Sequence, residues 1–375
     1  MNKILIISKD VYCGNELDKL DIFFKEILRN SGKIIFVSRD AKILNEISDY
    51  FTDKGIKLDT MTRNEIKDFI TNNKKENFIV IGNRDVDFQL SVNNKLLYIV
   101  PLWCEYIYDK SEKYGVKVKN VKQLNELIKT VNNQNNWYYH EVLADNTEVY
   151  SLMSGMSKLY NMSEEERELV RGFEKFLKHG QVQYYDILYY HFLAAISNLE
   201  KFKEIDIWGI APSSGKNLNK DMLLFKDRAR YIMKKKFTKE GENLFIRHKA
   251  ITKSHELYYG ERVRLGATRH FDSININPKY KVKGKNICIF DDYLTNGNTF
   301  EAMRNMLRNA EAKKIIFVSL GRFRRDYVYQ DYKLTGNVYK ENGFNYELLE
   351  KKSITYKCND TARFEVERLH YIFNL

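Results

Sequence analysis

The first third of the chain alternates short apolar runs with longer amphipathic stretches. In chain order, these segments occupy 4–8, 17–30, 33–38, 41–51, 78–82, 88–93 and 97–100. The apolar runs are rich in β-branched residues and have the length of strands, whereas the amphipathic stretches have the spacing of helices. The alternation predicts an α/β domain over 1–133, with a parallel sheet covered by helices on both faces.

Polar residues follow three of these predicted strands. In an open α/β sheet, ligands bind outside the carboxyl ends of the strands. The candidate pocket residues are Ser8, Asp10, Ser38, Arg39, Asn83 and Asp87. The alternative interpretation is a doubly wound domain in which these polar loops bind nothing.

Residues 134–200 are predicted to form a helical connector. The polar run 132–136 suits a linker, and apolar residues then recur at helical spacing. Ser163 followed by three glutamates has the pattern of a helix N-terminus, and a second helix is predicted over 185–199. We expect the aromatic residues and His191 of this segment to pack in the core.

The clearest motif lies at 286–299, in the domain predicted over 201–375. An apolar strand leads to Asp291 and Asp292, and a short polar loop then opens into a helix with one apolar face. Two carboxylates can accept hydrogen bonds from the vicinal hydroxyls of a ribose, and Gly297 lets the backbone approach a phosphate at the helix N-terminus. The candidate loop residues are Thr295, Asn296, Gly297, Asn298 and Thr299.

A second loop of small residues precedes this motif. Residues 205–211 have the pattern of a strand, and the loop that follows contains Ser213, Ser214, Gly215 and Lys216. Successive backbone N–H groups in such a loop can hold an anion.

Three basic residues between the two loops are further candidates. Arg247, Lys249 and Arg262 carry positive charge that could lie beside a bound anion. The alternative for each of them is an exposed surface cation.

Composition and charge narrow the class of protein. Apolar residues make up 43% of the 375 residues, which allows a large core and excludes a disordered chain. The formal net charge of +12 favours anionic partners, although a lysine-rich solvated surface has the same balance.

The four cysteines form no CxxC pair, so we predict neither a zinc site nor a disulfide framework and expect a cytoplasmic location. No apolar stretch approaches the roughly 18 residues of a membrane span, so no membrane partner is expected.

The segment 286–299 resembles the phosphoribosyl pyrophosphate (PRPP) motif of type I phosphoribosyltransferases, in which four apolar residues precede Asp-Asp-x-x-Thr-Thr-Gly-x-Thr. Asn296 stands where that motif has its second threonine. A basic stretch, a Glu-Arg pair and a Phe follow in the order of the ComF-like branch, and this resemblance covers about 200–325.

The resemblance implies a Rossmann-like domain that binds PRPP and releases pyrophosphate. It further implies Mg²⁺ held mainly by PRPP, a nucleobase as acceptor and a possible homodimer. The residues implied as catalytic are Asp291, Asp292, Arg247 and Lys249. The resemblance also implies that the loop 213–216 holds the diphosphate through backbone N–H groups, and that Arg247, Lys249 and Arg262 close over it and exclude water.

Residues 1–133 resemble the haloacid dehalogenase-like (HAD) family in the order and spacing of their polar clusters. Ser8 stands at the position of the family's nucleophilic Asp, and Asn83 stands at that of a metal-binding acid. A serine cannot supply the carboxylate that attacks phosphorus, and a neutral amide is a poorer ligand for Mg²⁺. The family's lysine is left unassigned among Lys54, Lys57, Lys67, Lys74 and Lys75. We therefore expect a degenerate hydrolase domain with a regulatory role.

Three functions stay open on this basis. The first is a phosphoribosyltransferase, and the second is a sensor or effector that binds PRPP or a nucleotide without turnover, by analogy in stress response, DNA uptake or defence. The third is a protein associated with nucleic acid, which the net charge favours but no helix-turn-helix or aromatic-basic motif supports. A further protein partner is compatible with the second and third.

Overall fold

The structure of the protein is a computed structural model, which describes residues 3–74, 76–133, 137–159, 161–179, 185–197, 199–234, 239–253 and 256–374. Residues 134–136 of the predicted linker and residue 198 of the predicted helix 185–199 lie outside these ranges.

Strands and helices alternate through most of the described chain. The strands are β1 (Ile4–Ser8), β2 (Lys33–Ser38), β3 (Asp59–Thr62), β4 (Phe78–Ile81), β5 (Leu97–Pro101), β6 (Val116–Val118), β7 (Tyr139–Val142), β8 (Thr147–Ser154), β9 (Ile207–Ile210), β10 (Phe245–Arg247), β11 (Ile274–Ile276), β12 (Asn286–Leu294), β13 (Lys314–Arg322), β14 (Tyr327–Gly336) and β15 (Phe344–Ile354). The helices are α1 (Leu17–Arg29), α2 (Ala41–Asp53), α3 (Arg63–Asn72), α4 (Asp85–Asn94), α5 (Asp109–Tyr114), α6 (Val121–Asn133), α7 (Glu164–His179), α8 (Tyr185–Ser197), α9 (Glu200–Lys203), α10 (Lys220–Ile232), α11 (Tyr259–Leu265), α12 (Thr268–Phe271), α13 (Asn298–Asn309) and α14 (Thr361–Asn374).

The first sheet contains six parallel strands in the order β3-β2-β1-β4-β5-β6. The chain winds from β1 to one edge and then returns to place β4 on the other side of β1. The carboxyl ends of β1, β2 and β4 are therefore neighbours, where ligands of such sheets bind. The predicted α/β class is confirmed. Strand β3 was not predicted, because Asp59–Thr62 is a polar edge strand without an apolar run.

The second sheet is mixed and has the order β7-β8-β13-β12-β9. Strands β8, β13, β12 and β9 run parallel, and β7 runs antiparallel to β8.

The prediction of a helical connector is wrong for the first part of 134–200, because β7 and β8 belong to the second sheet. Val149 packs in the apolar core on one face of β8, and Tyr150 and Leu152 pack on the other. A strand buried on both faces has no period-2 alternation, so its apolar run resembles that of a buried helix. The predicted helix start is confirmed, since Ser163 Oγ accepts a hydrogen bond from the Glu166 N–H at 3.1 Å.

The carboxyl-terminal segment returns to the first domain. A β14–β15 hairpin packs β14 against α13, and α14 then packs against α6, α7 and α8. The Gln123 side chain of α6 donates to the Ile372 carbonyl of α14 at 2.8 Å. One apolar core accordingly runs from Leu5 in β1 through Phe290 in β12 to Ile372.

Aromatic stacking also joins the two halves. The rings of Tyr114 in α5 and Tyr231 in α10 lie 4.4 Å apart and are nearly parallel, with Phe88 of α4 stacked beside them. Within the described ranges, every helix is too short or too polar to cross a bilayer.

Candidate functional site

The turn from β12 to α13 carries the candidate acids of the second sheet. Strand β12 extends through both of them, and Asp291 lies opposite Ser319 of β13. Gly297 has a φ of 81°, in the left-handed region. A Cβ on this residue would lie 2.3 Å from Cε2 of Tyr327, so only glycine fits. Helix α13 begins at the next residue, and no side chain caps its N-terminus.

The two carboxylates are turned back on their own backbone. Asp291 Oδ1 accepts from the Asp292 N–H at 2.9 Å, and Asp292 Oδ1 accepts from the Tyr293 N–H at 2.6 Å. Burial raises the pKa of Asp291 well above its usual range, the adjacent Asp292 carboxylate raises it further, and Arg247 opposes both. Hydroxyl donors or a cation would therefore stabilise the ionised form of this pair.

Arg247 at the end of β10 lies at the centre of the site. Its side chain is buried, and its guanidinium donates to the carbonyls of Pro212 and Ser213 and, at 2.6 Å, to Ser273 Oγ. Burial and the nearby Arg269 lower the pKa of Arg247 to about 10, whereas Asp291 raises it. Arg247 therefore holds the 212–216 loop beside the acidic pair.

His270 connects Arg247 to the start of α13. Its Nδ1 lies 3.3 Å from Arg247 Nη2, and its Nε2 lies 3.5 Å from Thr299 Oγ1. Burial lowers the pKa of His270 well below its usual range, and Arg247 and Arg269 lower it further. The neutral ring accepts from Arg247 at Nδ1 and donates toward Thr299 from Nε2. The sequence did not single out His270, because an isolated histidine beside a core phenylalanine carries no spacing signal.

The 212–216 loop follows β9, the strand adjacent to β12. Ser213 and Ser214 are partly buried, whereas Gly215 and Lys216 are exposed. The Ser214 carbonyl accepts from the Ile251 N–H at 2.9 Å. The amino-terminal half of the loop is thus fixed, and its carboxyl-terminal half is open to solvent.

The remaining candidates of this domain differ in their placement. Asn298 donates to the Arg262 carbonyl at 2.9 Å and accepts from Gln330 at 2.9 Å, so it links three segments. Asn296 is buried and donates to the Asp326 carbonyl at 3.0 Å, which turns it toward the protein interior. Thr295 and Arg262 are partly buried, and Lys249 is exposed. The structure therefore brings Asp291, Arg247, Ser213 and Thr299 together, with Lys216 and Lys249 at the surface.

At the first sheet, the candidate residues lie at neighbouring strand ends, and most of them are engaged by residues outside the candidate set. Asp10 pairs with Arg84, whose Nε lies 2.7 Å from Oδ2, and also with Lys9 at 3.5 Å. Ser38 Oγ accepts from the Asp40 N–H at 3.2 Å, and Asn83 donates to the Tyr106 carbonyl at 2.8 Å. The Ser8 hydroxyl is buried and has no hydrogen-bond partner among the described residues.

Asp87 is fully buried and forms an ion pair with Arg63, the first residue of α3. The sequence interpretation missed Arg63, because it considered only lysines as the cation of this site. A sequence pattern that places Arg63 at the start of a helix was nevertheless present. Thr62 and Glu65 form a capping box, which marks the start of a helix after β3. Since cations neutralise both Asp10 and Asp87, these two carboxylates are not a free pair for Mg²⁺.

The described residues contain no group of three or more His, Cys, Asp or Glu side chains placed to hold a metal ion. Mg²⁺ would instead fit at Asp291 and Asp292, whose carboxylate oxygens suit a hard cation that a diphosphate also binds. Comparison with known protein families found no match, and comparison with curated proteins found none either. A functional conclusion therefore depends on the geometry of this chain.

Proposed function

We propose that the carboxyl-terminal domain binds PRPP at the β12–α13 turn and transfers its phosphoribosyl group. The observation that carries the proposal is the juxtaposition of a partly buried acidic pair, an uncapped helix N-terminus after Gly297 and an arginine-braced loop. These three parts complement the ribose hydroxyls, the 5-phosphate and the diphosphate, respectively.

The 5-phosphate lies at the start of α13 in this proposal. A helix N-terminus offers free N–H groups and a positive dipole end, and both favour an anion. The side chain of Thr299 is partly buried there and adds a hydroxyl. Asp291 and Asp292 then accept from the ribose hydroxyls.

The diphosphate lies against the 212–216 loop. Arg269 is close enough to Arg247 to lower its pKa, and Arg262 lowers that of Arg269, so three guanidinium groups share this side of the site. Asp291 and Glu261 offset part of this positive charge, and a bound anion would offset more of it. The cluster thus favours a multiply charged ligand.

In the reaction, a nitrogen nucleophile bonds to C1 of the ribose while the bond from C1 to the diphosphate oxygen breaks. Positive charge develops on the ring and negative charge on the leaving group, so the preorganised cations stabilise the transition state. Mg²⁺, when bound with PRPP, would supply further charge neutralisation at the diphosphate. The first domain has a regulatory role in this proposal, because its acids are neutralised by cations.

A sensor that binds PRPP without turnover is the second candidate. The observation that favours it is the state of the first domain, where Asp10 and Asp87 are held in ion pairs and the Ser8 hydroxyl has no hydrogen-bond partner within the described ranges. A neighbouring domain whose acids are held in this way suits transmission of a binding signal.

Phosphorus NMR of PRPP with Mg²⁺ and the full-length protein tests the proposal, with and without a mixture of nucleobases. Pyrophosphate that appears only with bases supports transfer, and broadened but unchanged PRPP signals support the sensor. The absence of any effect on PRPP would refute both.

The variant Asp292→Asn tests whether the proposed site is responsible. We expect it to lose turnover or line broadening, whereas Asp53→Asn, which removes the same charge from an exposed position, should retain it. Wild-type behaviour of Asp292→Asn would place PRPP elsewhere on the protein.

A further inference from the structure

Two cysteines that are far apart in the sequence come together at one edge of the first domain. Cys13 lies in the loop that follows β1, and Cys104 lies in the loop that follows β5. Both are free thiols, and a side-chain hydrogen bond joins them. We call them the Cys13–Cys104 pair. The cysteine spacing did not indicate this pair, because about 90 residues separate its members along the chain.

Backbone contacts on either side of the pair hold the two loops together. The Trp103 indole N–H donates to the Val11 carbonyl at 3.1 Å, and the Cys104 thiol donates to the Asp10 carbonyl at 3.6 Å. A Cβ on Gly14 would lie 3.5 Å from the Trp103 carbonyl oxygen. A disulfide bond spans about 2 Å, so two thiols that are already in hydrogen-bonding contact need only a small shift to form one.

The two thiols differ in their access to solvent. Cys104 is buried, with 6% of its surface exposed, whereas Cys13 is partly exposed. Burial raises the pKa of the Cys104 thiol, and the adjacent Cys13 raises it further, so Cys104 stays protonated. A small oxidant therefore meets Cys13 first, and Cys104 is the neighbouring thiol that can react with the oxidised form of Cys13.

We propose that the Cys13–Cys104 pair is a site of reversible oxidation by hydrogen peroxide, in which the two residues become joined by a disulfide. The Cys13 sulfur bonds to one peroxide oxygen as the O–O bond breaks, and the thiol proton leaves with the departing hydroxide as water. The product is a sulfenic acid at Cys13.

The second step completes the disulfide. The Cys104 sulfur bonds to the Cys13 sulfur as the S–OH bond breaks, and the Cys104 proton leaves with that hydroxide as a second water. Two electrons have then passed from the thiols to the peroxide. A dithiol returns the pair to its reduced form by exchange.

The disulfide would join two loops that follow the strands on either side of β4. The Asn83 side chain, just after β4, donates to the Tyr106 carbonyl at 2.8 Å, and the Asn83 carbonyl accepts from the Tyr108 N–H at 3.0 Å. Oxidation would therefore fix a segment that crosses the end of β4 to the loop that carries Asp10. An effect on the second domain rests on the regulatory role proposed for the first, whereas formation of the bond does not.

The test is oxidation of dilute full-length protein with hydrogen peroxide, followed by alkylation of the denatured chain and peptide mapping without reduction. We expect the main oxidised product to be two peptides linked through Cys13 and Cys104, and dithiothreitol should separate them. Absence of this linked product at peroxide concentrations that oxidise Cys358 would overturn the proposal. A product in which Cys13 is linked to a different cysteine would overturn it as well.

The variant Cys104→Ser separates the two steps. Without the second thiol, the sulfenic acid at Cys13 should persist. Its labelling by dimedone should then exceed the labelling in wild type by at least roughly 10-fold, because a thiol in contact consumes the sulfenic acid in wild type. Equal labelling of the two proteins would show that Cys104 does not react with Cys13, and the proposal would fail.

Cys358→Ser is the matched control. Cys358 is partly exposed like Cys13, but its thiol donates to the Asp360 carboxylate at 3.7 Å. This variant should form the Cys13–Cys104 link to the same extent as wild type. Loss of the link in Cys358→Ser would mean that Cys358 takes part in the oxidation, which contradicts the proposed pair.

Discussion

His191 and His270 are both buried, with 1% and 4% of their surface exposed. Burial lowers the pKa of His191 to about 3 and holds that of His270 well below its usual range. His270 uses its neutral ring to join Arg247 to Thr299, so its low pKa keeps the β12–α13 site in one hydrogen-bonding state.

The pKa of His191 predicts a pH dependence of stability. Below about pH 6.5 the unfolded chain binds a proton at this residue that the folded protein does not bind until about pH 3, so acidification costs stability. We expect His191→Leu to remove this loss. The free energy of unfolding of the variant should therefore rise, relative to that of wild type, by about 1.4 kcal/mol for each pH unit below 6.5. Urea unfolding at several pH values between 7.5 and 4.5 measures the difference. A difference that is constant with pH would contradict the assignment.

Helix α13 is held against β14 by a buried polar network. The Glu301 carboxylate accepts from Arg304 at 2.9 Å, from the Tyr327 hydroxyl at 2.6 Å and from the Gln330 N–H at 3.0 Å. The same Tyr327 ring packs over Gly297. The hairpin therefore fixes the position of the turn at which we propose that the phosphate binds.

Replacing Gly297 with alanine should disturb this turn. We expect Gly297→Ala to lower the free energy of unfolding by at least about 1–2 kcal/mol, because the left-handed conformation disfavours a Cβ. Contact between that Cβ and the Tyr327 ring should lower it further. Thermal unfolding without ligand measures the stability of the variant. The increase in its stability on addition of PRPP measures binding at the β12–α13 turn.

Gly215→Ala is the matched control, since no atom lies within 4 Å of a Cβ at that position. Its stability should change by less than about 0.5 kcal/mol. A loss as large as that of Gly297→Ala would mean that the strained turn is not the cause.

The two halves of the molecule share one core. Helix α14 packs against α6 of the first domain as well as α7 and α8, and its Arg363 pairs with the buried Glu166 of α7 at 2.9 Å. Since the apolar cluster is continuous across this junction, the sheets are expected to unfold together.

Breaking the Arg363–Glu166 pair should destabilise both sheets. Arg363→Met leaves a buried carboxylate without its partner, at a cost of about 3–5 kcal/mol. Hydrogen exchange followed by mass spectrometry should show strands β1–β6 of the first sheet and strands β8, β9, β12 and β13 of the second sheet losing protection at the same, lower urea concentration. Two separated transitions would disprove the shared core.

Arg368→Met on the same helix is the control for this experiment. Its pair with Glu126 is at the surface, with the arginine half exposed and the two groups 3.3 Å apart. Loss of such a pair is expected to cost less than about 1 kcal/mol.

The alternation of apolar runs and amphipathic stretches was sufficient to predict four strands of the first sheet. It missed the polar edge strand β3 and the three-residue edge strand β6. It failed at β8, because a strand buried on both faces lacks the alternating pattern of a half-exposed strand. At the candidate site, the pattern singled out the two acids, Asn296 and Gly297 as ligand-binding residues, and this assignment stays a prediction. The structure adds a contact that the pattern could not show, from the Asn296 side chain to the Asp326 carbonyl thirty positions away.

By itself, the sequence determined the α/β class and the strand–loop–helix unit at 286–299, because both arise from periodicity and from residues adjacent along the chain. Tertiary structure decided the role of His270, the pairing of Asp87 with Arg63 and the return of α14 to the first domain. These features depend on which side chains, far apart in the sequence, come into contact once the helices pack on the sheets. Burial then sets their charge states, since removal from water disfavours an ionised group unless a partner lies beside it.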